Sequence, residues 1–286
     1  MIAEMPTYAE IIDRMTRAAA KVYDPREART LALWAVEALT GADRMRLLVD
    51  PRAEVERVDM GEVERYEREL SEARPIQYII GMAEFCGLQF AVGEGVLVPR
   101  PETEELVRWV VNECPTARRI LDIGTGSGAI AVSLAKLLPK AEVVAMDISE
   151  VALDYATRNA ASNGVHVAVV RGDALGDWAS EFEELDVVVS NPPYVPASDR
   201  ASIHRNVRDY EPELALFVPD DDLLRFYRSI ADGAARALRT GGALYFEIYE
   251  GAAEQMVEML AERGWTEIEL RRDFNDKNRM IRCRKR

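Results

Sequence analysis

Two short stretches carry residue types that can do chemistry. The first is Asn191-Pro192-Pro193-Tyr194, directly after the run Leu185–Ser190. Its two prolines fix the backbone and carry no N–H, which leaves carbonyls such as that of Pro192 free to accept. The Asn191 amide brings an acceptor and donors, and the Tyr194 ring brings a flat face. Together they suit a slot for a planar group that bears an NH₂. The second stretch is Leu121-Asp122-Ile123-Gly124-Thr125-Gly126-Ser127-Gly128. Gly124, Gly126 and Gly128 permit a sharp turn and close approach of the backbone to a ligand, with Thr125 and Ser127 between them in the same cradle. Asp147 follows Gly124 by twenty-three residues, at the end of the next apolar run. A carboxylate in that place can accept hydrogen bonds from both ribose hydroxyls of a nucleotide-like cofactor.

The glycine loop does not name its cofactor alone, since Gly124, Gly126 and Ala129 also satisfy a dinucleotide fingerprint. Asp122 separates the possibilities. A carboxylate just before the turn would repel a pyrophosphate, whereas it suits a cofactor with a positive end. S-adenosylmethionine, with a sulfonium and an ammonium, is such a molecule. The competing role for Asp122 is a plain strand-end turn. Asp173 and Ala174, after Gly172, offer either an adenine-side contact or a turn alone.

These residues need a frame. Beyond Arg100 the sequence alternates strand and helix. Strands are predicted near 118–123, 141–147, 166–171, 185–190, 243–249, 267–272 and 279–284. Helices are predicted near 103–113, 127–137, 149–163, 221–239 and 250–263. Such alternation with short turns specifies an α/β fold with a doubly wound parallel sheet, and the last two strands, with no helix between them, require one antiparallel member. The first 74 residues read as helices only. Thr7 and Glu10 form a capping box before Ile11, Ile12, Met15, Ala18 and Ala19. Asp24-Pro25 opens a second helix whose apolar positions are Leu31, Trp34, Ala35, Ala38 and Leu39, stopped by Gly41. Val63, Tyr66, Leu70 and Ala73 form a third stripe. Between 75 and 99 the glycines at 81, 87, 93 and 95 interrupt Leu88–Val92 and Val96–Val98, the pattern of a linking hairpin. The domains expected are therefore a helical bundle at 1–74, a linker at 75–99 and a catalytic domain at 100–286.

Composition narrows the function. The 286 residues carry 36 Lys and Arg against 50 Asp and Glu, a net charge of −14 that weighs against holding DNA by phosphate neutralisation. Cys86, Cys114 and Cys283 are too scattered for a disulfide framework or a zinc site, and His166 and His204 lack partners at metal spacing. No metal is expected. The opening MIAEMPTYAE lacks the basic flank and apolar core of a leader, and no apolar run approaches the roughly 20 residues of a membrane span. A cytoplasmic protein without membrane contact is expected.

A family resemblance rests on longer motifs. They are Pro75-Ile76-Gln77-Tyr78-Ile79-Ile80-Gly81, then Val96-Leu97-Val98-Pro99-Arg100-Pro101-Glu102-Thr103-Glu104. The glycine loop follows, then Val189-Ser190-Asn191-Pro192-Pro193-Tyr194-Val195, and Tyr210-Glu211-Pro212 with Ala215-Leu216. With these the sequence resembles the release-factor glutamine methyltransferases, the HemK-type protein-(glutamine) methyltransferases, over residues 75–250. Asn-Pro-Pro-Tyr occurs in several amino-methyltransferase families; joined to the Pro-Arg-Pro-Glu-Thr-Glu segment it becomes specific. Two departures stand out. Glu247-Ile248-Tyr249 replaces the family's Glu-Ile-Gly, and Asp276 takes the place of a glycine in Asp273-Phe274-Asn275-Asp276-Lys277-Asn278-Arg279. Both lie outside the glycine loop and the slot, so they bear on loop geometry.

The resemblance implies a Rossmann-like methyltransferase sheet with a small all-helical amino-terminal domain joined by a β-hairpin. It implies methyl transfer from S-adenosylmethionine, with S-adenosylhomocysteine as product, to the side-chain amide of a glutamine in a peptide-chain release factor. Asn191 and Pro192 would then be the catalytic pair, with Pro193, Tyr194, Arg100 and Glu102 beside the substrate. Thr103 and Glu104 sit in cap-like positions of the helix that follows. Three rivals remain at this point: a nucleic-acid adenine amino-methyltransferase using the same slot, an NAD-dependent oxidoreductase, and a cofactor-binding adaptor without turnover. The first normally needs a basic target-recognition region, and the second leaves Asp122 and the slot unexplained.

Overall fold

The computed structural model describes residues 5–286; the first four residues of the opening stretch lie outside the described part. Its residues group into two compact units. One ends at Gly81 and takes in His204–Tyr210, and the other comprises Met82–Ile203 and Glu211–Arg286.

The first unit holds α1 (Tyr8–Ala19), α2 (Pro25–Thr40), α3 (Arg44–Val49), α4 (Met60–Ser71) and α5 (Ile76–Ile80). Thr7 and Glu10 close the expected capping box, and the Asp24 carboxylate accepts from the Arg26 and Glu27 amides at the start of α2. Gly41 ends α2 at φ +70°. Ile11, Ile12, Met15, Val36, Leu47, Val63 and Leu70 meet in one apolar core. One expectation needs correction. The buried residues of α2 are Ala28, Leu31, Ala32, Leu33, Ala35 and Val36, a helical face centred on Ala28, Ala32 and Ala35 that is turned away from Trp34 and Ala38, which are exposed. Short helices also form at 44–49 and, within the expected linker, at 76–80; at five or six residues neither is long enough to print an apolar period. His204 stacks on Tyr23 with centroids 5.0 Å apart, a structural use for one of the two histidines.

The second unit opens with the hairpin β1 (Met82–Phe85) and β2 (Leu88–Ala91), whose turn residues Cys86 and Gly87 both take positive φ. Residues 96–98, expected as part of this hairpin, are not a strand: the Val98 amide donates to the Glu211 carboxylate instead of to a neighbouring strand. The chain continues through α6 (Pro101–Glu113), β3 (Arg119–Ile123), α7 (Ala129–Leu137), β4 (Glu142–Asp147), α8 (Glu150–Ser162), β5 (Ala168–Arg171) and β6 (Leu185–Ser190). Short pieces follow: β7 (Val195–Pro196), a 3₁₀ turn (Ala197–Ser202), α9 (Arg205–Arg208, in the first unit), α10 (Glu213–Leu216) and β8 (Phe217–Val218). The chain closes with α11 (Arg225–Ala237), β9 (Leu238–Glu247), α12 (Ala253–Glu262), β10 (Thr266–Arg272) and β11 (Asn278–Arg284).

Seven strands form the central sheet in the order β10-β11-β9-β6-β3-β4-β5. All neighbours from β9 to β5 are parallel, and β11 is the expected antiparallel member, paired to both β9 and β10. Leu121, Ile123, Val188, Leu244, Phe246, Tyr227 and Met256 are buried together in one cluster of this unit's core. From β3 the chain winds outward through β4 to β5, and from β6 it winds the other way. The topological switch therefore lies between β3 and β6, and open α/β sheets bind ligands at the carboxyl edge of such a switch. The glycine loop leaves β3 there and Asn191-Pro192-Pro193-Tyr194 leaves β6. Ser190 ties the two strand ends, its hydroxyl donating to the Ile123 carbonyl at 2.7 Å.

Candidate active site

The glycine loop is folded back against the end of β4. The Gly124 and Thr125 amides donate to the Met146 carbonyl at 2.8 and 3.1 Å. Gly124 and Gly126 have φ of +72° and +56°, and a side chain at either would meet nothing within 4 Å, so their outer faces are open to a ligand. Gly128 differs from its neighbours. At φ +81° it lies where a Cβ would come 3.0 Å from the Ala156 Cα, so its glycine permits the close packing of the loop on α8. Thr125 and Ser127 are both buried. Asn159, completely buried on α8, clamps this region: its amide donates to the Ala91 and Ser127 carbonyls and accepts from the Ala91 amide.

Asp147 ends β4 beside the loop. Its carboxylate accepts from the Gly126 amide and the Ser149 amide, each at 2.9 Å, so it both shapes the turn and presents an acidic edge to it. Burial raises its pKa against these hydrogen bonds. Asp122 is fully buried one residue from the end of β3. Oδ2 accepts from the Thr125 hydroxyl at 2.6 Å and the Ala131 amide at 3.2 Å, while Oδ1 has no hydrogen-bond partner. Desolvation pushes its pKa up to about 7, with the Thr125 and Ala131 bonds opposing and Asp147 adding repulsion. A buried acid with one unmet oxygen is costly unless a cation or donor completes it.

The slot is built from three elements. Asn191 follows β6, Thr103 lies in the first turn of α6, and Glu247 ends β9. The Asn191 amide nitrogen lies 3.4 Å from the Thr103 Oγ1, and that hydroxyl donates to Glu247 Oε2 at 2.6 Å. The Tyr194 hydroxyl donates to Glu247 Oε1 at 3.0 Å, and the Tyr227 hydroxyl to the Glu247 carbonyl at 3.2 Å. Glu247 is thus a buried hub; burial raises its pKa, and Thr103, Tyr194 and Arg279 oppose the rise. Arg279 is itself held by Asp273 at 3.1 Å. The two departures from the family pattern resolve differently. Asp276 adopts φ +62°, the conformation the glycine would supply, so the turn survives the replacement. Tyr249 is outside the slot in sequence but against it in space: its ring stacks on Tyr194 at 6.5 Å and its hydroxyl donates to Asp199 at 3.0 Å.

The remaining expected residues have their own partners. Arg100 pairs with the buried Glu211 at 2.6 Å, so much of its charge is spent within the chain. Glu102 accepts from the Asn275 amide at 3.2 Å. Thr103 and Glu104 are not caps. Arg100 is the N-cap and its side chain caps no helix amide, Thr103 turns inward to Glu247, and Glu104 accepts from the Cys86 amide at 2.9 Å. Asp173 is exposed and its carboxylate accepts from the Leu175 amide at 2.8 Å, while the Ala174 carbonyl accepts from the Ser229 hydroxyl. No group of three or more His, Cys, Asp or Glu among the described residues could hold a metal, and the three cysteines are free. No helix among them is long and apolar enough to cross a membrane.

Sequence reading missed Glu247, Thr103 as an inward-facing group, Glu211 and Asn159. The available signal was a single acid closing the apolar run Leu244-Tyr245-Phe246, since a charge there needs a buried partner. The lining as a whole fits a cofactor that carries a nucleoside and positive charge: an open glycine turn, the Asp147 edge, and Asp122 with its unpartnered oxygen.

Comparison with known proteins agrees with this geometry. The family profile described as "Methyltransferase small domain" matches residues 102–208. A protein of Bacteroides thetaiotaomicron named release factor glutamine methyltransferase is 43% identical over 260 residues, covering 91% of this chain and 94% of the relative. One of the same name from Flavobacterium psychrophilum is 40% identical over 274 residues, covering 94% and 96%. Among solved structures, a methyltransferase from Pyrococcus furiosus superposes with a TM-score of 0.51 at 19% identity, over 70% of this chain and 90% of that one, a likeness of fold. With a parallel sheet whose switch point brings glycine loop and amide slot together, and with relatives that match it nearly end to end, the chain belongs to the release factor glutamine methyltransferase family.

Proposed function

We propose that the chain transfers a methyl group from S-adenosylmethionine to the side-chain amide nitrogen of a glutamine in a peptide-chain release factor, releasing S-adenosylhomocysteine. The observation that carries this is the convergence of the glycine loop and Asn191 at one switch point, tied through Ser190. S-adenosylmethionine supplies an electrophilic methyl when bound, with Gly124, Gly126, Asp147 and Asp122 as the residues that would hold it. An amide nitrogen is a poor nucleophile because its lone pair is delocalised into the carbonyl. The chain's task is therefore to hold and orient it. The Asn191 side-chain oxygen and the Pro192 carbonyl accept the two amide hydrogens and so fix the direction of the nitrogen. As positive charge grows on that nitrogen, both acceptors stabilise it, because they are aimed before the reaction at where charge appears. Alignment of this kind can supply as much as roughly 7–11 kcal/mol of a barrier. The substituted nitrogen is acidic and sheds its proton without a strong base. No histidine is required.

Tyr194, anchored on Glu247 and backed by Tyr249, forms a wall for the planar amide. The helical region up to residue 74 helps grip the release factor, and the reaction takes place in the cytoplasm where that partner works. The relatives' shared name supports a protein substrate, and the charge of −14 supports it over bare nucleic acid. The test is transfer of labelled methyl to a purified release factor, with adenine-containing duplex DNA as the parallel substrate. Label in the release factor alone is expected; comparable label in DNA overturns the proposal.

A further inference from the structure

Asparagine has two amide orientations of nearly the same shape, and only one of them turns an acceptor toward a ligand. What chooses between them here can be worked out by counting hydrogens. The Thr103 hydroxyl has one hydrogen. It is committed to Glu247 Oε2 at 2.6 Å, and Glu247 is buried with its other oxygen taken by the Tyr194 hydroxyl. With Glu247 as the carboxylate that its contacts with Thr103, Tyr194 and Arg279 favour, Thr103 meets the Asn191 amide, 3.4 Å away, as an acceptor. The Asn191 NH₂ must face Thr103, and its oxygen must face the other way.

We infer that Thr103 and Glu247 are positioning residues that set the amide orientation of Asn191, so that its oxygen and not its NH₂ is presented to the substrate amide. The inference rests on Asn191 being the acceptor of the slot. A reversed amide would present N–H to N–H, and the substrate nitrogen would lose one of its two anchors. Glu247 acts at a distance, through the one hydrogen of Thr103. It is itself held by the Tyr194 hydroxyl and faces Arg279.

The test removes the hydroxyl without changing shape. Thr103→Val leaves the amide free to turn, and Thr103→Ser restores the hydrogen. Single-turnover methyl transfer to a release factor, with cofactor and substrate saturating, should fall by about 5- to 10-fold in Thr103→Val, one hydrogen bond's worth. KM for the release factor and calorimetric affinity for the cofactor should stay unchanged, and Thr103→Ser should recover most of the rate. Asparagine-selective ¹⁵N spectra of the chain alone give a second readout. The Asn191 NH₂ pair, assigned by its absence in Asn191→Ala, should move in Thr103→Val and return in Thr103→Ser. A folded Thr103→Val with the wild-type rate and an unmoved NH₂ pair overturns the inference, as does a Thr103→Ser as slow as Thr103→Val. If the wild-type chain methylates no release factor, the functional proposal fails, while the spectra still decide the orientation.

Discussion

Cofactor affinity should depend on pH through Asp122. This carboxyl is fully buried, has one oxygen without a partner, and has its pKa pushed up to about 7 by desolvation. Without a cation nearby it holds its proton near neutrality. A positively charged ligand favours the ionised form, so binding expels that proton and tightens as pH rises. Between pH 6 and 8 the ionised fraction climbs severalfold, which makes affinity rise about tenfold. Above that range it levels off. Isothermal calorimetry with S-adenosylmethionine from pH 6 to 8 measures this, and Asp122→Asn should be flat over the same range. Stability gives an independent check with the opposite sign. The folded pKa lies above the ordinary 3.8, so the unliganded folded chain keeps a proton that the unfolded chain has lost. Its contribution to stability therefore declines as pH rises from about 4 to about 7, by at most about 4 kcal/mol. Asp122→Asn should remove that decline and melt higher than wild type at pH 8. Affinity that does not change from pH 6 to 8, or that changes equally in Asp122→Asn, would rule out Asp122 as the group that titrates with cofactor binding.

Two further substitutions probe the other halves of the site. Asn191→Ala should keep the fold and lose about 10²–10³ in single-turnover rate, the cost of removing one preorganised acceptor; a folded variant with near wild-type turnover sinks the mechanism. Asp147→Ala should weaken cofactor binding by roughly 1.5–3 kcal/mol in calorimetry, the worth of hydrogen bonds to a charged group. It should also lower the melting temperature, since the Gly126 and Ser149 amides lose their acceptor. Unchanged affinity would remove Asp147 from the site.

Much of this architecture is legible in the sequence because local signals and tertiary demands agree. The parallel strands are continuous apolar runs, their helices carry period and punctuation, and the glycine loop and the Asn191 slot sit at strand ends, where the sheet must place them. The capping box at Thr7 and the Asp24-Pro25 start needed only neighbours in sequence. Several of the failures share one cause, which is that the deciding partner is far along the chain. Thr103 looks like a cap until Glu247, 144 residues away, draws its hydroxyl inward. Val98 looks like a strand residue until Glu211 takes its amide at a separation of 113. Trp34 fits an apolar stripe by spacing, but the helix buries the face around Ala28, Ala32 and Ala35. Tyr249 stands apart from the slot in sequence and against Tyr194 in space because β9 runs parallel beside β6, so that both strands end at the same edge.

The most direct test of the central claim is tandem mass spectrometry of a purified peptide-chain release factor after incubation with this chain and S-adenosylmethionine. One added methyl on the side-chain nitrogen of a single glutamine, dependent on the cofactor, is expected. None is expected when that glutamine is replaced by asparagine, whose shorter side chain leaves the nitrogen about one carbon–carbon bond out of position. An unmodified release factor in the presence of folded, cofactor-binding protein, or methyl groups on residues other than glutamine, would contradict it.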